Sequence, residues 1–442
     1  MIKKQLLTFC LLLAVLVAKG QEREISFTEF DLDNGIHVIL HEDNSTPIVV
    51  VSVMYHVGSK NEDPERTGFA HFFEHLLFEG SKNIKRGEFD KYITNAGGVN
   101  NANTSNDRTY YYEILPSNQL ELGLWLESER LMHANIDQVG VETQREVVKE
   151  EKRQRIDNRP YGSILAEIAK RAYTEHPYRW TTIGSLDHLN AATLEEFMDF
   201  YETFYVPENA TISIAGDINT EEAKELVKKY FADIPMGGNE IPRPDIVEPK
   251  QTMEVRDTVY DNIQLPAVIQ AYHMPAQGVE DAYALEMLST VLSGGQSARL
   301  YKSLVDEQQK ALQVVAIPFS SEDPGLYLLF GLPTIGGSLE GLETAMEEEI
   351  NKLKNELITE KEFDKVRNQV ENNFVSGNST MAGIAESLAN YHVYYGDANL
   401  INQEIDRYMK VTREDIQRVA KKYLTKENRV VLYYLPKSQE NN

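Results

Sequence analysis

From Ile25 to Val57 apolar and polar residues alternate, as in Ile36-His37-Val38-Ile39-Leu40 and Ile48-Val49-Val50-Val51-Ser52-Val53. This period of two predicts strands. Between residues 66 and 80 the apolar positions change to helical spacing. Gly97-Gly98 predicts a turn, and Asn101 to Ile114, rich in Thr and Tyr, predicts one long strand. Helical patterns follow over Leu120 to His133 and from Val141 to about Tyr173. Thr193 with Glu196 three residues on forms a capping box that opens another helix. Thr211 to Ala215 is a short strand that stops at Gly216-Asp217.

The pattern then pauses and starts again. Residues 235–250 hold four prolines and two glycines, which neither a helix nor a central strand tolerates, so this stretch reads as a linker. Beyond it, the segment from Thr412 to Arg429 aligns without a gap on that from Thr193 to Ala210. Each is a capped helix, then Glu-Asn, then a strand. So long a period predicts duplication of a whole domain rather than a solenoid. The order of elements predicts an α+β fold of two tandem homologous domains, residues 25–234 and 251–437. Each would be a mostly antiparallel sheet with helices packed on one face.

Composition narrows the function. At 442 residues and 42% apolar the chain can bury a sizeable core. A net charge of -25 argues against nucleic acid as a partner and disfavours an anionic membrane surface. Residues 1–20 read as a signal peptide: Lys3 and Lys4, an apolar run from Leu6 to Ala18 too short for a comfortable span, then Ala18-Lys19-Gly20. An exported protein, periplasmic or secreted, with no membrane span in its mature form is the expectation. The single cysteine, Cys10, falls inside that segment, so the mature chain would carry neither a disulfide nor a thiol ligand.

The chemistry concentrates in Gly68-Phe69-Ala70-His71-Phe72-Phe73-Glu74-His75-Leu76-Leu77. Residues four apart share a helix face, so His71 and His75 project together and can hold one metal ion. Glu74 borders that face and can serve as a general base without being a ligand. The pattern is the inverted His-x-x-Glu-His of zinc peptidases. The aromatic and aliphatic neighbours would keep such a site dry. The remaining histidines, His56 and His273 among them, have no partner at metal-binding spacing along the sequence.

Here the chain resembles the pitrilysin, insulin-degrading enzyme and mitochondrial processing peptidase family. The resemblance is carried by the His71–His75 motif, by Gly97-Gly98 through Asn101-Ala102, Thr104-Ser105, Asp107, Thr109 and Tyr111, and by Gln144-Arg145 through Val147-Val148 to Glu151. His176-Pro177-Tyr178, Ile183-Gly184-Ser185, Asn209-Ala210 and Ala215-Gly216-Asp217 extend it over the mature chain, more weakly in the second half. It implies a zinc metalloendopeptidase with one Zn2+ per chain. The ligands would be His71, His75 and a third, Glu151, picked from Glu150 and Glu151 by the Val-Val-x-x-Glu register. Glu150 lies about 100° further round the helix. Some relatives carry another Glu at the position of Gln144, so a carboxylate behind the ligands is absent here. The resemblance also implies that a peptide substrate adds as a strand along Asn101, Ala102 and Asn103.

In the second half, Leu285-Glu286-Met287-Leu288 through Leu292 presents an apolar face where the metal motif stood, which predicts an inactive domain. Relatives that complete a clamp around the substrate carry Arg and Tyr after a Ser-x-Arg-Leu-Tyr stretch. Ser297-Ala298-Arg299-Leu300-Tyr301 is present, but those two positions hold Val305 and Leu312. The longer relatives build a clamshell from four domains, so this chain would be half of one. A homologous subunit supplying Arg and Tyr in a heterodimer is the expected partner, with a homodimer as the alternative. A non-catalytic scaffold or subunit of the same fold, or one whose zinc is only structural, is the competing reading.

Overall fold

A computed structural model describes residues 24–439; the expected signal segment lies outside them. The first sheet holds β1 (Thr28–Asp31), β2 (His37–Glu42), β3 (Ile48–Tyr55), β4 (Val99–Thr104), β5 (Thr109–Pro116) and β6 (Ala210–Gly216), ordered β1-β2-β6-β3-β5-β4. The second holds β7 (Val255–Asp261), β8 (Ala267–His273), β9 (Ala311–Phe319), β10 (Leu326–Pro333) and β11 (Arg429–Pro436), ordered β7-β11-β8-β10-β9. Each contains a single parallel pair, β2 with β6 and β11 with β7, among antiparallel neighbours. The α+β class with two related domains is therefore observed.

The repeat extends to single hydrogen bonds. The helices Leu194–Phe204 and Arg413–Tyr423 both open on a reciprocal capping box, from Thr193 with Glu196 and from Thr412 with Asp415. Asn209 Nδ2 donates to the Phe204 carbonyl at 2.8 Å, and Asn428 Nδ2 donates to that of Tyr423 at 2.8 Å. These amides also reach the backbone of His56 and His273, at 3.4 and 2.9 Å. Each ties a helix end to the sheet beside it.

Helices cover the sheet faces in an exchanged manner. The front of the first sheet buries Val38, Leu40, Val49, Val51 and Val53 against its own helices, through Phe72, Phe73, Leu124, Phe197 and Val227. Its rear buries Ile39, Val50 and Ala215 against Ile384, Ala385 and Leu388 of the helix Met381–Tyr395, which comes from the second half. In return, Ile168, Ala169 and Ala172 of the helix Ile164–Ala172 cover Ile269, Ala271, Val430 and Leu432 on the rear of the second sheet. The expected single helical face is joined by a second, which explains why β3 is a continuous apolar run rather than a strict alternation. A buried lysine pins the halves further: Lys60 Nζ lies 3.2 Å from Asp107, 2.5 Å from Glu322 and 3.1 Å from Asp323.

Two expected elements are divided. The long strand from Asn101 to Ile114 is a hairpin, β4 and β5, because Ser105 N–H donates to the Arg108 carbonyl at 2.8 Å and Ser105 Oγ accepts from Asp107 and Arg108 N–H, both at 3.1 Å. The long helix beginning near Val141 is two, Gln138–Lys152 and Ile164–Ala172. Pro160 and Gly162 flank Tyr161, whose φ of 61° no α-helix accepts. Residues 235–250 form neither helix nor strand. They are fastened nonetheless: Glu248 accepts backbone N–H groups from Thr174, Glu175 and His176 at 2.8 to 3.0 Å. No helix among the described residues is long and apolar enough to cross a membrane.

Candidate metal centre

The motif helix, Phe69–Leu76, is secured at both ends. It starts from Gly68 at φ 100°, where a Cβ would meet the Ile183 carbonyl at 2.9 Å, so only glycine fits. Glu62, buried beside it, accepts the otherwise orphaned N–H groups of Gly68 and Ala70 at 2.8 and 2.9 Å. At the far end the fully buried Arg130 donates to the Leu77 carbonyl at 3.2 Å. Phe69 and Phe72 stack on Phe197 with centroids 4.5 and 4.6 Å apart. These contacts fix which way the histidines point.

His71 and His75 approach Nε2 to Nε2 at 3.3 Å, with their rings nearly perpendicular at 88°. Glu151, on the helix Gln138–Lys152, brings Oε2 to 3.4 Å from His71 Nε2 and 3.0 Å from His75 Nε2. This oxygen is buried and makes no aligned hydrogen bond. One potential ligand atom from each of His71, His75 and Glu151 lies within 4.8 Å of the others. Ligands about 2.0–2.1 Å from a tetrahedral zinc stand about 3.3 Å apart, so the observed edges fit that ion. The adjacent imidazoles, His71 first and His75 second, hold the Glu151 carboxyl well below its ordinary value. Glu150 points away and pairs with Arg153 and Gln154 at the surface.

Glu74 stands beside these atoms and accepts from Thr104 Oγ1 at 2.6 Å. Thr104 ends β4, the edge strand of the first sheet, on which Asn101, Ala102 and Asn103 lie. All of them line a cleft of about 930 Å³ together with His71, His75 and Glu151. Gln144 is turned elsewhere: its Nε2 donates to Glu79 at 2.5 Å, and its Oε1 is buried without a partner. Three cleft residues escaped sequence reasoning. Thr104 was visible only as part of the family string. Arg155 holds the outer oxygen of Glu151 at 2.5 Å. Tyr161 lies at the break between two helices that the sequence pattern merged. In the second half Val305 packs half-buried on its own domain's core, while Leu312 is exposed on the edge strand β9. The helix Glu280–Ser293 buries Leu285, Leu288, Val291 and Leu292, as expected of an inactive domain.

Residues 37–185 match the family model described as Insulinase (Peptidase family M16), and residues 191–370 match the one described as Peptidase M16 inactive domain. The chain is 33% identical over 408 residues to the zinc protease PqqE of Helicobacter pylori, covering 92% of both chains. It is 24% identical to the uncharacterized zinc protease YmxG of Bacillus subtilis, over 91% of this chain and 97% of that one. The crystal structure of a protease from Helicobacter pylori superposes with a TM-score of 0.89 at 32% identity, covering 93% of this chain and all of that one. The periplasmic protease PqqL of Escherichia coli gives a TM-score of 0.76 at 17% identity, with 94% of this chain lying on 48% of that one, so the fold here resembles half of that larger molecule. The chain belongs to the M16 peptidase family.

Proposed function

We propose that this chain is a zinc-dependent endopeptidase that hydrolyses peptides or unfolded polypeptides laid along β4. The observation that carries the reading is the convergence of His71, His75 and Glu151 beside a carboxylate, Glu74, that is not part of the donor set. Zinc held by His71, His75 and Glu151 would supply Lewis acidity for a peptide carbonyl and for water. Glu74 is placed to take a proton from the attacking water and return it to the departing amine, and the Thr104 hydroxyl holds the carboxylate in position. The open edge of β4 grips an extended peptide by its backbone, and the small Ala102 lets it approach closely.

Metal analysis and hydrolysis of a mixed peptide pool test this together. Glu74→Gln is expected to retain one zinc and to lose about 10²–10⁴-fold in kcat. Glu151→Gln is expected to lose zinc affinity. Full zinc occupancy in Glu151→Gln, or normal turnover in Glu74→Gln, overturns the assignment.

The reading extends to a partner. Neither Val305, packed on its own core, nor Leu312, an exposed aliphatic side chain, can donate a hydrogen bond to a substrate backbone. A homodimer would therefore close the cleft with a wall that leaves peptide groups unpaired. That would cost about 1–3 kcal/mol for each group. A homologous subunit with Arg and Tyr at those positions removes the cost. The purified chain alone is expected to be a weak peptidase, accelerated tenfold or more by such a paralogue. Full activity as a homodimer, unchanged by the paralogue, counts against the heterodimer.

A further inference from the structure

We propose that Glu29, His37 and His392 form a second metal site, distinct from the cleft, that takes a divalent transition ion of the Zn2+, Ni2+ or Cu2+ class and ties the two halves together. One potential ligand atom from each of the three lies within 4.8 Å of the others.

The strand register builds half of the site. Asp31 on β1 sits opposite His37 on β2, and Glu29 lies two residues before Asp31, so all three side chains project from the same face of the sheet. Ile39, two residues after His37, points to that face as well and packs on the helix Met381–Tyr395. The same helix delivers His392, whose ring stacks on that of His37 with centroids 3.5 Å apart and planes within 3°.

The hydrogen bonding of His37 then selects its ligand atom. Asp31 Oδ1 is 2.7 Å from Nδ1, which fixes the hydrogen there and leaves the lone pair on Nε2. A carboxylate that orients an imidazole from behind in this way is the usual support of a metal-ligating histidine. His37 Nε2 is buried and has no hydrogen-bond partner. Glu29 Oε2 faces it at 3.5 Å, within the reach of a shared ion but too long for a hydrogen bond. Two imidazoles and one carboxylate suit a borderline transition ion and not Mg2+ or Ca2+, which want oxygen donors throughout. Because its ligands come from β1, β2 and the helix Met381–Tyr395, the role proposed for it is structural.

Binding requires a local adjustment. Parallel rings aim their lone pairs side by side, so the His392 ring must turn out of the stack. Glu29, with 48% of its side chain exposed, is free to swing inward. The ion would then join β1 and β2 of the first half to a helix of the second. No described residue is a cysteine, so no disulfide can do the same within them.

The test uses the untagged full chain, stripped by a chelator and titrated with Zn2+ by calorimetry, with bound metal counted after gel filtration. Two ions per chain are expected. His37→Asn and His392→Asn should each weaken the second ion at least tenfold and keep the first, whose retention reports that the chain is folded. Glu151→Gln should do the reverse, which separates this site from the proposed catalytic one. Glu29→Gln, at a half-exposed position that cannot harm folding much, should also weaken the second ion. One ion only in the wild type overturns the proposal. So does a second ion that binds equally well to Glu29→Gln and to either folded histidine variant.

Discussion

At the scale of residues the short contact between Thr104 and Glu74 is the most informative outside the proposed metal ligands. Thr104→Val removes the donor and preserves the shape. If Glu74 is the general base, kcat is expected to fall about tenfold, the equivalent of about 1.4 kcal/mol, while zinc content stays the same. Steady-state kinetics with metal analysis on the same sample checks it. An equal loss of zinc would mean that Thr104 supports the helix and not the base. His71, Glu74 and His75 are legible in the sequence because one helical period sets them side by side. Glu151 is legible only through the register of a second helix, since nothing local shows which of two adjacent glutamates turns inward. Thr104 reaches Glu74 across a strand edge, a contact with no local signature. The pairing of His37 with His392 joins positions far apart along the chain, so no local spacing reveals it.

At the scale of elements, turn chemistry decided where pattern reading failed. Ser105, with its hydroxyl accepting two N–H groups, folds what looked like one strand into β4 and β5, and this creates the sheet edge on which the proposed substrate strand depends. Pro160 and Gly162 end a helix whose apolar period runs on through them, and the break opens the cleft. Both signals were present as residue types but were outweighed by the periodicity around them. The second domain has its own staple between elements: Arg299 holds Glu362 at 2.9 and 3.1 Å, fastening the Ser-x-Arg-Leu-Tyr stretch to the helix Glu360–Gly377. This pairing, with help from the Thr359 cap, draws the Glu362 carboxyl from 4.5 down to about 2. As pH falls, the unfolded chain takes up this proton first. The stabilisation is therefore whole above about 4.5 and lost by about 2. Denaturant titrations from pH 7 to pH 2 should show Glu362→Gln less stable than wild type at neutral pH, with the difference shrinking in acid. A constant difference would mean the pair acts by packing alone.

At the scale of the whole molecule, the exchanged helices bury a sheet face of each half against the other. Leu388 and Ile168 are fully buried, each on a helix that lies against the other half's sheet. Leu388→Ala or Ile168→Ala should cost about 2–5 kcal/mol. Either should lower a single unfolding transition common to both halves, followed by calorimetry and circular dichroism. Two separated transitions, one unmoved, would show the halves to be independent. The duplication and the α+β class were legible from the capped helix that recurs with its Glu-Asn and strand. The exchange was not, because a helix with one apolar face does not state which sheet it will cover.

That exchange also sets a timetable for synthesis. The first sheet has all its strands once β6 ends at Gly216, yet the helix that shields its rear does not begin until Met381. At translation rates of about 5–20 residues per second the interval lasts about ten to thirty seconds. Throughout it Ile39, Val50, Met54 and Ala215 lack their cover, and the helix Ile164–Ala172 has no sheet to lie on. The nascent chain thus carries a bare apolar sheet face for longer than most domains need to fold. Until residues 381–395 have emerged, that face lacks the helix that covers it in the folded chain.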